Sequence, residues 1–228
     1  MSKLRTNVKD ILAHATPFQA LDEKQLVRLS ALTKTIRAAR DKEIVAPGHA
    51  ADGAYWLVYG QVKIVFSPKK GTERTVEILG DGACFGIAEM LTDHPHLASV
   101  KTTADSLILH VERSAIVALM EENPAFSRDL TLCLSRQFCG LMRDVECYTQ
   151  TARQRLAGYL LRQRKQNACD SFELSSNREI ISSLLWLTPE TISRVLHDFT
   201  AEGMIDVSGR KVSILNGDKM AEALVGVD

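Results

Sequence analysis

One stretch limits the possible folds of this chain more than any other. Leu130, Leu134, Phe138, Leu141, Val145 and Tyr148 recur at separations of three and four, which places them on one face of an α-helix about five turns long. A helix of that length with a continuous apolar stripe has to cover it. Two covers are open: the rest of the same chain, or the same stripe on a second copy. The second is expected, because a two-fold pair lets one helix use both faces and is the commonest symmetry of oligomers. The expected interface is Leu130, Leu134, Leu141 and Val145.

The residues on either side of the stripe follow different periods. Thr6–Ala13 and Glu23–Ala31 carry apolar residues at helical spacing, with Asp22 placed to cap the second. From about Thr35 to Val111 the pattern turns to short alternating or β-branched runs, Ala54–Tyr59, Val62–Phe66, Thr75–Leu79 and Ser106–Val111, punctuated by Pro47-Gly48, Gly60, Gly71, Gly80-Asp81-Gly82 and Gly86. That is the spacing of a small sandwich or barrel. A short helix follows at Glu112–Glu121, and Asn123-Pro124 opens the long one. Beyond Tyr148 the order is helix (Ala152–Lys165), strand (Ser171–Leu174), helix (Arg178–Leu185), turn, helix (Pro189–Glu202) and two strands (Met204–Val207 and Lys211–Leu215). A helical pair followed by a β-hairpin is the winged helix-turn-helix pattern. The expected organisation is α+β: a β-roll over residues 1–123, a dimerisation helix and hinge over 124–149, and a winged helix over 150–228.

Composition excludes other classes. Hydrophobic residues make up 45% and charged residues 25% of the chain, the proportions of ordinary globular proteins, so a disordered chain, a collagen or a rod is excluded. No apolar run approaches the ~18–20 residues that cross a bilayer, and Met1-Ser2-Lys3-Leu4-Arg5-Thr6-Asn7 lacks the apolar core of a signal peptide. A cytoplasmic protein without a membrane partner is expected. The cysteines at 84, 133, 139, 147 and 169 include no CxxC pair, which argues for free thiols over a disulfide framework or a zinc site. Basic and acidic residues balance at 28 each. Their distribution is uneven, however: Arg153, Arg155, Arg162, Arg164 and Lys165 lie between Gln150 and Cys169 with no acidic residue among them, a local positive patch.

In the C-terminal helical pair, Ile181, Leu185, Ile192, Val195 and Phe199 supply buried positions, and Ser182 is the small residue that a close helix crossing needs. Thr188-Pro189 starts the second helix with a capping hydroxyl and a proline whose missing N–H costs nothing. Glu190, Ser193 and Arg194 then share one face of its first exposed turn. Their chemistry suits the major groove, since a carboxylate accepts from cytosine N4, a hydroxyl serves either strand and arginine pairs with guanine O6/N7. An ordinary Glu190–Arg194 ion pair on a solvated helix is the competing reading. Thr188 and Thr191 complete the candidate DNA-binding set.

The run Pro189-Glu190-Thr191-Ile192-Ser193-Arg194-Val195-Leu196 resembles the recognition helix of the CRP/FNR superfamily of bacterial transcription regulators. The β region adds Pro47-Gly48, then Tyr55-Trp56-Leu57-Val58-Tyr59-Gly60-Gln61-Val62-Lys63-Ile64, then Gly80-Asp81-Gly82-Ala83-Cys84-Phe85-Gly86, which resembles the cyclic-nucleotide-binding β-roll. The resemblance implies a homodimer that binds a palindromic site in double-stranded DNA and works with RNA polymerase. Its E-x-x-S-R helix resembles the FNR type, which implies a TTGAT–ATCAA inverted repeat. Two departures stand out. Trp186 occupies a turn position where many such motifs have glycine, so a wider turn is expected, and Pro189 stands where the cyclic-AMP receptor has a base-reading arginine.

The resemblance also sets expectations for the effector. Family members hold a cyclic nucleotide with a Gly-Glu pair and, about ten residues later, an Arg-Ser pair; here Gly86 is followed by Ile87, and the later pair falls at Leu97-Ala98. A phosphate there would be unpaired, which costs several kcal/mol, so cyclic AMP is not expected. No cysteine precedes Cys84, so an FNR-type iron–sulfur cluster cannot be built. What remains is an apolar pocket lined by Phe85, Gly86, Ile87, Leu91 and Leu97 from the roll and Leu134, Phe138 and Leu141 from the long helix, with Met90 and Met142 nearby. The resemblance to nitric-oxide responders of the Dnr/Nnr type implies haem there, with His14, His94, His96 or Cys84 as axial ligand. The alternatives are a solvated His94-Pro95-His96 loop with Cys84 as a small buried hydrophobe, a small organic effector, or thiol redox at Cys133, Cys139 or Cys147. An enzyme is not expected, as the chain has no P-loop, GxSxG or HExxH motif. A ligand-binding module without DNA activity is the other rival, and the E-x-x-S-R helix counts against it.

Overall fold

A computed structural model describes residues 7–66, 73–146, 149–174 and 178–226. The chain divides into two compact units, Met1–Gly140 and Leu141–Asp228.

The first unit starts with α1 (Val8–His14) and α2 (Glu23–Ala31). Asp22 caps α2 as expected, in a reciprocal box: the Gln25 N–H donates to the Asp22 carboxylate at 2.8 Å, and the Asp22 N–H donates to the Gln25 side chain at 3.1 Å. Eight strands follow: β1 (Thr33–Ala38), β2 (Glu43–Val45), β3 (Gly53–Tyr59), β4 (Val62–Phe66), β5 (Arg74–Leu79), β6 (Cys84–Phe85), β7 (Ser99–Thr102) and β8 (Ser106–Glu112). They form two antiparallel sheets, β1-β8-β3-β6 and β2-β7-β4-β5. Strand β3 is buried on both faces, and its alternation divides two cores. Leu57 joins Val62, Phe85, Val100 and Ile108 in one core, while Ala54 and Trp56 join Leu12, Phe18, Leu29, Leu109 and Ile116 in the other. Each of these large side chains contributes roughly 1.5–3 kcal/mol on burial.

Between β6 and β7 lies α3 (Ile87–Thr92), and after β8 come α4 (Arg113–Glu122) and α5 (Pro124–Glu146). The Asn123 side chain accepts from the N–H groups of Ala125 and Phe126, both at 3.1 Å, and so caps α5. The first turns of α5 pack on their own roll. Phe126 and Leu130 are fully buried with Phe18 and Trp56, and Phe126 stacks on Phe18 at 5.8 Å between ring centres. This corrects the placing of Leu130 at a subunit interface: α5 begins on the roll, so its N-terminal apolar residues are covered at once by the core beneath. Leu134 is half-buried on the same core. Farther along, Phe138, Leu141 and Met142 are exposed. The side chain of Val145, and Tyr148 altogether, lie outside the described residues.

The second unit contains α6 (Ala152–Asn167), β9 (Ser171–Glu173), α7 (Arg178–Leu185), α8 (Pro189–Ala201), β10 (Ile205–Ser208), β11 (Lys211–Ile214) and α9 (Gly217–Val225). The strands form one antiparallel sheet in the order β10-β11-β9. Its core joins Leu156, Tyr159 and Leu160 of α6 to Ile181, Leu185, Ile192, Val195 and Phe199, the five positions expected to be buried. Ser182 is buried as well, its hydroxyl donating to Glu179 O at 2.8 Å. Among the described residues, no helix is long and apolar enough to cross a membrane.

Candidate nucleic-acid interface

The α7–α8 turn is tight. Trp186 takes the left-handed conformation, φ 59°, at a cost of about 1–2 kcal/mol for a residue with a side chain, and the Leu187 N–H donates to Ser182 O at 2.9 Å. The expected widening is therefore absent, because tryptophan adopts the backbone geometry that glycine would supply. Arg155 of α6 holds the turn: its Nη1 donates to Leu185 O at 3.2 Å and Trp186 O at 3.4 Å, and its Nε to Gln150 O at 3.0 Å. Other members of the positive patch are similarly engaged inside the unit. Arg153 pairs with Glu202 and lies 4.8 Å from the centre of the Phe199 ring, and Arg164 pairs with Asp170. These arginines are braces of the fold more than a free charged surface, which net charge along a sequence does not reveal.

Helix α8 starts as the sequence indicates. The Thr188 hydroxyl accepts from the Thr191 N–H at 3.2 Å and lies 3.1 Å from the Thr191 hydroxyl. Thr188 and Thr191 thus serve the cap. Ile192, Val195, Leu196 and Phe199 face the core, while Glu190, Ser193 and Arg194 are exposed together on the opposite side. No ion pair joins Glu190 to Arg194 among the described residues. The Glu190 backbone N–H, then the Thr188 hydroxyl, hold the Glu190 carboxyl below the usual carboxylate range, so it is an acceptor near neutral pH. His197, three residues beyond Arg194, extends the same exposed face; sequence reasoning missed it, although its spacing of seven from Glu190 was the signal. Behind α8, β10 and β11 form a hairpin across Gly209, φ 62°, with Ser208 opposite Lys211. Arg210 at its tip is turned inward, donating to Leu174 O at 2.7 and 3.2 Å.

The positions expected to form an effector pocket do not converge. Phe85 and Ile87 are packed into the two cores, Leu91 and Leu134 are half-buried on the second, and Leu97 and Phe138 are 65% and 62% exposed. Leu141 falls in the other unit. Periodicity shows that a residue is apolar; it cannot say which of several cores takes it. At the positions where the resemblance would place phosphate and ribose partners, Ile87 and Ala98 are buried apolar side chains and Leu97 is an exposed one.

The three histidines differ. His14 and His94 are exposed, each with Nδ1 2.8 Å from a carbonyl of its own segment, Asp10 O and Thr92 O. His96 is buried and its Nε2 has no hydrogen-bond partner among the described residues, which corrects the solvated reading for this residue, while His94 and Pro95 are exposed as that reading expects. Its main chain is tied to the preceding turn, with Gly48 N–H donating to His96 O and His96 N–H to His49 O. Burial lowers the pKa of its ring. Beside it lie Tyr55 and Gly86, where a Cβ would come within 3.2 Å of both rings. His110, which sequence reasoning missed, completes the cluster with Nε2 3.1 Å from the Asp52 carboxylate and its ring 4.7 Å from that of Tyr55.

Comparison with known proteins matches residues 35–123 to the cyclic nucleotide-binding domain and residues 154–223 to the Crp-like helix-turn-helix domain. The two occur in the order and on the units that the structure shows. The chain belongs to the CRP/FNR family of DNA-binding transcription regulators. Among relatives of this CRP/FNR protein, the CRP-like cAMP-activated global transcriptional regulator of Mycobacterium tuberculosis is 24% identical over 218 residues, covering 93% of this chain and 97% of its own. The cyclic AMP receptor protein of Thermus thermophilus is 26% identical over 187 residues, 82% of this chain and 86% of its own. The structure of FixK2 from Bradyrhizobium japonicum superposes with a TM-score of 0.75 at 21% identity, covering 84% of this chain and 96% of that one.

Proposed function

We propose that this CRP/FNR protein is a cytoplasmic homodimer that reads an FNR-like TTGAT–ATCAA inverted repeat, works with RNA polymerase, and is controlled through its β-roll by an effector other than a cyclic nucleotide. The observation that carries the reading is the grouping of Glu190, Ser193 and Arg194 on the exposed face of α8, with the opposite face locked in the core. A carboxylate acceptor, a hydroxyl and a guanidinium at this spacing fit adjacent base edges in one major groove. The exposed Phe138, Leu141 and Met142 on α5 support the dimer, since apolar groups of this size on one helix face favour pairing.

For the effector, haem with nitric oxide as its gas ligand is the class implied by the resemblance. Among the three histidine candidates His96 is the one that would hold the iron, since its buried Nε2 has no hydrogen-bond partner among the described residues. When bound, haem would supply the diatomic-gas chemistry, with His96 holding the iron.

Fluorescence anisotropy with a labelled TTGAT–ATCAA duplex and a scrambled one tests the DNA reading. Arg194→Ala is expected to cost ~1–3 kcal/mol on the first and far less on the second. Equal losses on both would reduce Arg194 to a phosphate contact. For the effector, reconstitution should give a Soret band that is altered in His96→Ala, and cyclic AMP should not raise the melting temperature.

A further inference from the structure

The fold brings together two thiols that lie far apart in the chain. Cys84 is on β6, buried, and Cys133 is on α5, half-buried against the same core. Gln137, one turn along α5 from Cys133, donates its amide to Cys84 O, so α5 carries Cys133 past β6 beside Cys84, near enough for each thiol to shift the other. We propose that Cys84 and Cys133 are a redox-active dithiol, a site for a hydroperoxide, whose oxidation to a disulfide ties α5 to the β-roll. The reading as a DNA-binding regulator bears on what the bond would control, not on whether it forms.

The surroundings assign different parts to the two sulfurs. The interaction with Cys84, helped by Arg136 and opposed by burial and Asp129, brings the Cys133 thiol down to about 7, so of the two sulfurs it is the one that gives up its proton more readily. The same interaction, together with burial and Glu77, pushes Cys84 up, so it stays a thiol. A partly exposed thiolate beside a buried thiol is the arrangement of an attacking and a resolving cysteine. In the first step the Cys133 thiolate attacks one oxygen of hydrogen peroxide. The S–O bond forms, the O–O bond breaks, and the departing hydroxide takes up a proton as water, leaving a sulfenic acid. In the second, the Cys84 sulfur attacks the Cys133 sulfur, the S–S bond forms, the S–O bond breaks, and the hydroxide leaves as water with the Cys84 thiol proton. Two thiols and one peroxide give one disulfide and two waters. Loss of the Cys133 thiolate in the first step removes the neighbouring charge that keeps Cys84 protonated, which favours the second.

The test uses the reduced full-length protein and hydrogen peroxide. Peptide mapping without reductant should recover the Cys84 and Cys133 peptides joined, with Cys139 and Cys169 still free for alkylation and dithiothreitol reversing the link. Iodoacetamide labelling of Cys133 should show a midpoint near pH 7. In Cys84→Ala the link should vanish, and dimedone should trap a sulfenic acid on Cys133. A disulfide joining any other pair, or peroxide oxidation of Cys133 no faster than that of Cys139, would overturn the proposal. Binding of the reduced protein to the inverted repeat is measured in the same preparation. Retained DNA binding without the link overturns the dithiol alone, whereas a link without DNA binding overturns the regulator reading and leaves the dithiol standing.

Discussion

Thr188 holds the first turn of α8, on which the proposed base-reading side chains sit. Its hydroxyl satisfies an N–H at the start of α8 and neighbours both Thr191 and Glu190. Thr188→Ala should lower the stability of the DNA-binding unit by ~1 kcal/mol in urea titrations, and Thr188→Ser should restore it; an unchanged midpoint for the alanine variant would return Thr188 to the base-reading set. Arg155 acts similarly on the turn. Removing its charged hydrogen bonds to two carbonyls in Arg155→Met should cost about 1–3 kcal/mol, read in the same titration. His96 carries a pH dependence of definite sign. Burial lowers its folded pKa below that of the unfolded chain, so its neutral form contributes stability fully above about pH 6.5 that is lost as the pH falls through the folded value. In paired denaturation series from pH 7.5 to 5, the wild type should lose more stability than His96→Gln. Identical slopes would remove His96 as a titrating group.

At the level of elements, length and capping decide what can be seen in a sequence. The helices Glu23–Ala31 and Arg178–Leu185 and the strand Val62–Phe66 coincide with their expected bounds, because each is a periodic run between turn residues or caps. Strands β2 and β6 span three and two residues, too few for a period to register. Helix α3 is a six-residue turn between two residues in the left-handed conformation, Gly86 and Asp93. Helix α9 begins at Asn216-Gly217-Asp218, which reads as a turn, although Met220, Ala223 and Leu224 carry its helical spacing. The stripe on α5 was legible as a stripe, but its division was not: the sequence does not say where along its length the helix leaves the roll. A charge tests that division. Phe138→Glu should give monomers by light scattering with the melting temperature of the roll nearly unchanged, whereas Leu130→Glu should unfold the roll itself, since a carboxylate would be buried among Phe18, Trp56 and Phe126. A dimer that persists in Phe138→Glu, and in Leu141→Glu, would move the interface away from α5.

For the whole molecule, the proposed function couples two features: the three exposed side chains of α8 and their presentation twice by a two-fold dimer. The shared exposure of Glu190, Ser193 and Arg194 was readable because α8 is long, capped and amphipathic. The effector site was not, because apolar character alone does not say where a side chain packs, and the fold distributes Phe85, Ile87, Leu97 and Phe138 among two cores and the surface. Two copies of α8 in a symmetric dimer must enter major grooves about one helical turn, ~34 Å, apart. The most direct measurement is therefore the Kd of the reduced full-length protein for duplexes carrying two inverted half-sites, one half-site, or a scrambled sequence, each over a range of salt concentrations. The account predicts at least a thousandfold preference for the inverted repeat over the scrambled duplex, a large loss on deleting one half-site, and a linear fall of log affinity with log salt. Equal affinity for all three duplexes would contradict it.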